Sequence, residues 1–130
     1  MEIDLTEYFE NKKGTGVLAT ADDQGRVDLA VYARPHVTDR ETVAFIMPDR
    51  LTHHNVQSNN HAAYLFMEQS AGYKGIRLFL SKVREEEDSE LLHSIRRKNY
   101  ASEQGEEEEP RFIVFFKVER LLPLIGAKRE

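Results

Sequence analysis

The chain contains no cysteine and no tryptophan. Without thiols it can form no disulfide, no thiolate nucleophile and no cysteine-held zinc or iron–sulfur site. It also lacks an excess of positive charge. Its 18 lysines and arginines stand against 23 aspartates and glutamates, a formal net charge of −5. Nucleic acids and anionic membranes both attract basic surfaces, so neither is an expected partner. No apolar run approaches the roughly 20 residues of a membrane-spanning helix. The segment Met1-Glu2-Ile3-Asp4 is acidic and has none of the apolar character of a signal peptide. These absences predict a soluble cytoplasmic protein.

Several catalytic patterns are missing as well. There is no G-x-G-x-x-G, no P-loop and no G-x-S-x-G nucleophile elbow. The five histidines (His36, His53, His54, His61 and His93) include no H-x-x-x-H pair. The adjacent His53 and His54 would point about 100° apart on a helix, a poor arrangement for holding one ion. No metal site is expected, and no hydrolase or kinase machinery is visible.

What is present is the content of one small domain, residues 1–130, with 40% apolar residues. A core of this size has little room for a deep site for a large cofactor, and sharing the site between two subunits would relieve that. The chain reads as a short helix over Asp4–Lys13, capped by Asp4 and stopped at Gly14. A hairpin follows, with strands Gly16–Ala21 and Arg26–Ala33 joined by a turn at Asp22-Asp23-Gln24-Gly25. Pro35 limits pairing beyond it. A strand over Thr42–Met47 ends at Pro48, and a short polar helix, capped by Asp49, spans Asp49–Asn59.

Strands at Ala62–Met67 and Gly75–Val83 come next, then a charged exit at Arg84–Asp88 and a helix over Ser89–Tyr100. A solvated acidic loop, Ala101–Pro110, leads to a last strand, Phe112–Val118, and a tail over Glu119–Leu124. This order favours antiparallel neighbours and a mainly β barrel or curled sheet. Strands apolar on both faces, with Phe45, Ile113 and Phe115 on the second face, call for a covering layer from helices or a second subunit, and so point towards a dimer.

The segment Pro48-Asp49-Arg50-Leu51-Thr52-His53-His54-Asn55-Val56 carries the best chemistry. Arg50 can donate two hydrogen bonds to phosphate oxygens, Thr52 adds a hydroxyl, and a helix start supplies backbone N–H groups. The same residues would equally suit a surface helix start with a solvated arginine. Tyr73 could stack on a flat ring, with Lys74 and Arg77 nearby, or the three could form an ordinary strand entry.

Gly16–Thr20, the return strand Val27–Ala33, the strand Val43–Met47, the Thr52-x-x-Asn55-Val56 helix and Asn59-Asn60-His61-Ala62 occur in a telling order. From about Leu5 to Val118 the chain resembles the pyridoxamine 5′-phosphate oxidase-like split barrels, most nearly the small bacterial FMN-binding proteins. The resemblance implies a six-stranded antiparallel split β-barrel with two or three short flanking helices, working as a homodimer with FMN at the subunit interface. It places Ala30, Val31, Tyr32 and Ala33, with Ile46, Met47 and Pro48, along the flavin ring. Thr52 matches a phosphate-holding hydroxyl and Asn55 the usual asparagine of the short helix, for which a structural role is the alternative. Tyr73 and Lys74 complete the expected cofactor-binding set.

Many relatives carry a lysine in the phosphate segment, and here there is none. Arg50, or His53 when protonated, would have to supply the charge. The loss of one charge-assisted bond, about 1.5–3 kcal/mol, would weaken FMN by about one to two decades. Pyridoxamine phosphate oxidation itself is not expected, because those enzymes add tryptophan-containing C-terminal elements. The implied role is that of a small oxidoreductase whose substrate and redox partner the sequence does not name. The alternatives are a haem-binding module, with a ligand such as His53, or a cofactor-free dimeric interaction domain.

Overall fold

A computed structural model describes residues 3–87, 92–94 and 110–126. The first helix, α1 (Leu5–Asn11), is capped by Asp4, whose Oδ1 accepts from the Glu7 N–H at 3.2 Å. Strands β1 (Gly14–Ala21) and β2 (Val27–Val31) form the first hairpin. Its turn is built by Asp22, whose Oδ1 accepts from the Gln24 and Arg26 N–H groups at 2.9 Å each, with Gly25 at φ 81°. The Arg26 backbone N–H, helped by its guanidinium, holds the Asp22 carboxyl below the usual carboxylate range.

The remaining elements are β3 (His36–Asp39), β4 (Thr42–Pro48), α2 (Leu51–Ser58), β5 (His61–Glu68), β6 (Gly75–Glu87) and β7 (Arg111–Pro123). All strands lie in one antiparallel sheet, in the order β2-β1-β5-β6-β7-β4-β3. Leu92, His93 and Ser94 are helical. The rest of the helix expected over Ser89–Tyr100 lies outside the described residues, as do Asp88 and 101–109 of the expected acidic loop.

The mainly antiparallel split barrel matches the expectation, but the described residues form seven strands rather than six. The additional strand is β3. Pro35 removes a single N–H just before it, and a tight turn then holds the β3–β4 hairpin: Glu41 N–H donates to Asp39 Oδ1 at 2.9 Å and the Thr38 hydroxyl to the Thr42 carbonyl at 3.1 Å. Both β6 and β7 are also longer than expected, at 13 residues each. The charged exit at 84–87 and the tail at 119–123 are therefore strand.

The inner face of the sheet packs Leu18, Val43, Phe45, Met47, Tyr64, Phe66, Leu78, Val114 and Phe116 into one core, plugged by Leu5 and Phe9 of α1. Phe45 thus faces inward, not onto a second face. Two contacts draw β2 over the open seam of the barrel. Tyr32 meets Phe45 edge-on at 5.8 Å, and the Tyr64 hydroxyl donates to the Tyr32 carbonyl at 3.1 Å. The approach needs Gly16, where a Cβ would collide with the Tyr64 hydroxyl and the Tyr32 carbonyl. The expected second face does exist: Ile113 and Phe115 pack with Ala44 under Leu92, so a helical residue covers that part.

Candidate functional site

Pro48 ends β4, and Arg50, in extended conformation, is the N-cap of α2 in place of the expected Asp49. The Arg50 side chain makes no capping hydrogen bond to this helix start. Its first-turn N–H groups therefore belong to a helix end that favours an anion. Between this corner and β2 runs an open groove of about 450 Å³. It is lined by Ala30, Val31, Tyr32 and Ala33 from β2 and the residues after it, by Ile46 and Pro48 of β4, and by Arg50 and Thr52 at the helix start.

The structure does not bring every expected residue here. Met47 is wholly buried in the core, because alternation along β4 turns it away from Ile46 and Pro48. Asn55 is 2% exposed, and its Nδ2 donates to Thr20 Oγ1 at 3.1 Å, fastening α2 to β1. Tyr73 and Lys74 are exposed on the β5–β6 connection and do not line the groove. Conversely, Asp28, Leu29, Leu51 and Arg111 do line it, and none of them was expected. Arg111 is reached only through the sheet register that sets it opposite Pro48, which no local pattern announces.

His53 occupies a different environment from the one its neighbours in sequence suggest. It is 6% exposed and stacks on Phe112 with ring centroids 3.8 Å apart. Its Nε2 lies 3.0 Å from Glu85 Oε2, and its Nδ1 lies 3.5 Å from Asp49 Oδ1. Both ring nitrogens face carboxylates rather than the groove. Glu85 also accepts from Lys82 Nζ at 2.8 Å and Gln57 Nε2 at 2.9 Å. Partial burial pushes the Glu85 carboxyl up, but the Lys82, Gln57 and His53 donors outweigh it and hold the group down at about 2.

A larger hollow of about 800 Å³ lies between the start of α1, the β3–β4 turn and the end of β7. It brings together none of the expected site residues, and its acids Asp4, Asp39, Glu41 and Glu119 outnumber Arg40 and Arg120. Among the described residues, no helix is long and apolar enough to cross a membrane, and no group of three or more His, Asp or Glu is placed to hold a metal ion.

Solved structures share this architecture. An FMN-binding protein from Syntrophomonas wolfei superposes with a TM-score of 0.75, at 17% identity, over 96% of this chain and 86% of that one. An F420 reductase superposes with a TM-score of 0.69, at 15% identity, over 89% and 94%. HutZ, a heme storage protein from Vibrio cholerae, superposes with a TM-score of 0.62, at 21% identity, over 94% of each chain. At such identities the likeness establishes the fold. No curated protein matches the chain by sequence. The family model for pyridoxamine 5′-phosphate oxidase, however, matches residues 4–124. That match runs from the cap of α1 past the end of β7, and the chain belongs to the pyridoxamine 5′-phosphate oxidase family.

Proposed function

We propose that this protein binds FMN in the groove beside α2, as a homodimer, and serves as a small flavin-dependent redox protein. The observation that carries the reading is the groove's two-part chemistry. A largely apolar lining from β2 and β4 suits a flat ring, and an arginine, a hydroxyl and a helix start whose N-cap side chain makes no capping hydrogen bond suit a phosphate monoester. Bound flavin would supply electron-transfer chemistry, and the residues described here would bind and orient it.

The dimer reading rests on β2. Val27, Leu29 and Val31 are 79%, 70% and 76% exposed, while Asp28 between them is half-buried. An edge strand with its apolar side outward is a liability in a lone chain. Leu29 and Val31 also line the groove, so a second copy seated on this stripe would close the open side of the site and exclude water. Tyr73 and Lys74, exposed on the β5–β6 connection, are then available to the partner's groove. Haem finds less support here, because the His53 nitrogens already face Glu85 and Asp49.

The test is flavin selectivity. Arg50→Ala should weaken FMN by about 10- to 100-fold and leave riboflavin, which has no phosphate, nearly unchanged. Equal losses for both flavins in a fluorescence titration would remove Arg50 from the phosphate site.

A further inference from the structure

The phosphate segment 50–56 has one arginine and no lysine, a thin supply of charge for a dianion. The sheet brings a second cation to the same groove. Arg111 opens β7 and is the register partner of Pro48, as Phe112 is of Met47 and Ile113 of Ile46. Residues directly opposed in an antiparallel pair share a face. Met47 and Phe112 face the core, so Pro48 and Arg111 face outward, onto the groove, together with Ile46. Arg50 follows Pro48 by two residues. Among the described residues, the groove of this acidic protein is thus lined by two arginines from distant parts of the chain against a single acid, Asp28.

We propose that Arg111 is a second phosphate-binding residue, which makes up for the missing lysine and, with Arg50, selects a dianionic phosphate monoester. The proposal rests on the FMN reading of the groove. A guanidinium presents donors in a fixed planar fork and can take two phosphate oxygens at once. One guanidinium comes from the helix start and the other from the sheet, so the phosphate would be gripped from two elements that β4–β7 pairing holds in fixed relation. This arrangement also predicts a greater affinity than the loss of a lysine alone would leave.

The experiment compares the full-length wild type with Arg111→Gln, Arg111→Lys and the Arg50→Ala/Arg111→Gln double variant. FMN and riboflavin are titrated by flavin fluorescence, and inorganic phosphate is used as a competitor. Melting temperatures without ligand check that each variant folds. Arg111→Gln should bind FMN about 10- to 100-fold more weakly, with riboflavin changed by less than about twofold. Arg111→Lys should recover part of the loss, since it restores charge but not the fork. In the double variant FMN should bind no better than riboflavin, and phosphate should no longer compete. Unchanged FMN binding by Arg111→Gln would overturn the assignment while leaving the FMN reading in place. Equal losses of FMN and riboflavin would instead make Arg111 a ring or packing residue. A wild type that binds neither flavin would overturn the FMN reading and this proposal with it.

Discussion

Glu85 turns a charged strand end into an internal anchor. Three donors from two elements converge on its carboxylate: Lys82 beside it on β6, and His53 and Gln57 on α2. The cluster locks the far side of the helix that begins at the groove. Its pH dependence has a definite sign. The folded carboxyl, at about 2, lies below its ordinary value of 4.5, so its stabilisation is complete above about 4.5 and is lost as pH falls towards about 2. Glu85→Gln should therefore cost about 1–3 kcal/mol at neutral pH, because Lys82 loses its carboxylate partner. In urea melts the two proteins should converge as pH is lowered through that window. Parallel pH profiles would show that the carboxylate is not held as described. The sequence hides this cluster. His53 sits between Thr52 and Asn55 and so reads as a phosphate donor, yet its ring direction is set by a carboxylate 32 positions away.

At the scale of elements, the strands were legible where their alternation is regular and lost where it breaks. The sequence reading ends the fifth strand at Val83 and the sixth at Val118. The β6–β7 register shifts at those points: Lys82 pairs with Phe116 but Arg84 with Phe115, and Leu80 pairs with Val118 but Phe79 with Arg120. A bulged residue flips the inside–outside pattern, so the residues beyond it look like a charged exit or a tail. The short β3 was missed for a related reason, since it follows a proline and its own register shifts between Val37 and Asp39. β2 presents the opposite case. Its alternation is plain, but only the fold shows that the apolar side faces out. Leu29→Lys should leave the fold intact, as Leu29 is 70% exposed, and convert a dimer to a monomer with weakened FMN binding. Light scattering at micromolar concentration checks this. A dimer that survives the substitution would place the interface elsewhere.

For the molecule as a whole, strand order and family resemblance were enough to foresee a split barrel, because antiparallel neighbours joined by short turns leave few topologies. The candidate groove was legible only in its local parts. Arg50, Thr52, Pro48 and the β2 residues are close in sequence to recognisable turns and strand ends, and the fold sets them around one groove. Arg111 depends on the pairing of β4 with β7, and Asn55 proves to be a buried tether between α2 and β1. The proposed dimer belongs to this scale too, since a second copy seated on β2 would turn the open groove of one chain into an enclosed site. The most direct measurement is a titration of the wild-type protein with FMN, followed by flavin absorbance and melting temperature. An FMN-binding protein should saturate at about one FMN per chain, with a melting temperature that rises with FMN concentration as binding to the native state requires. A protein that leaves the flavin spectrum and its own melting temperature unmoved at saturating FMN would contradict it.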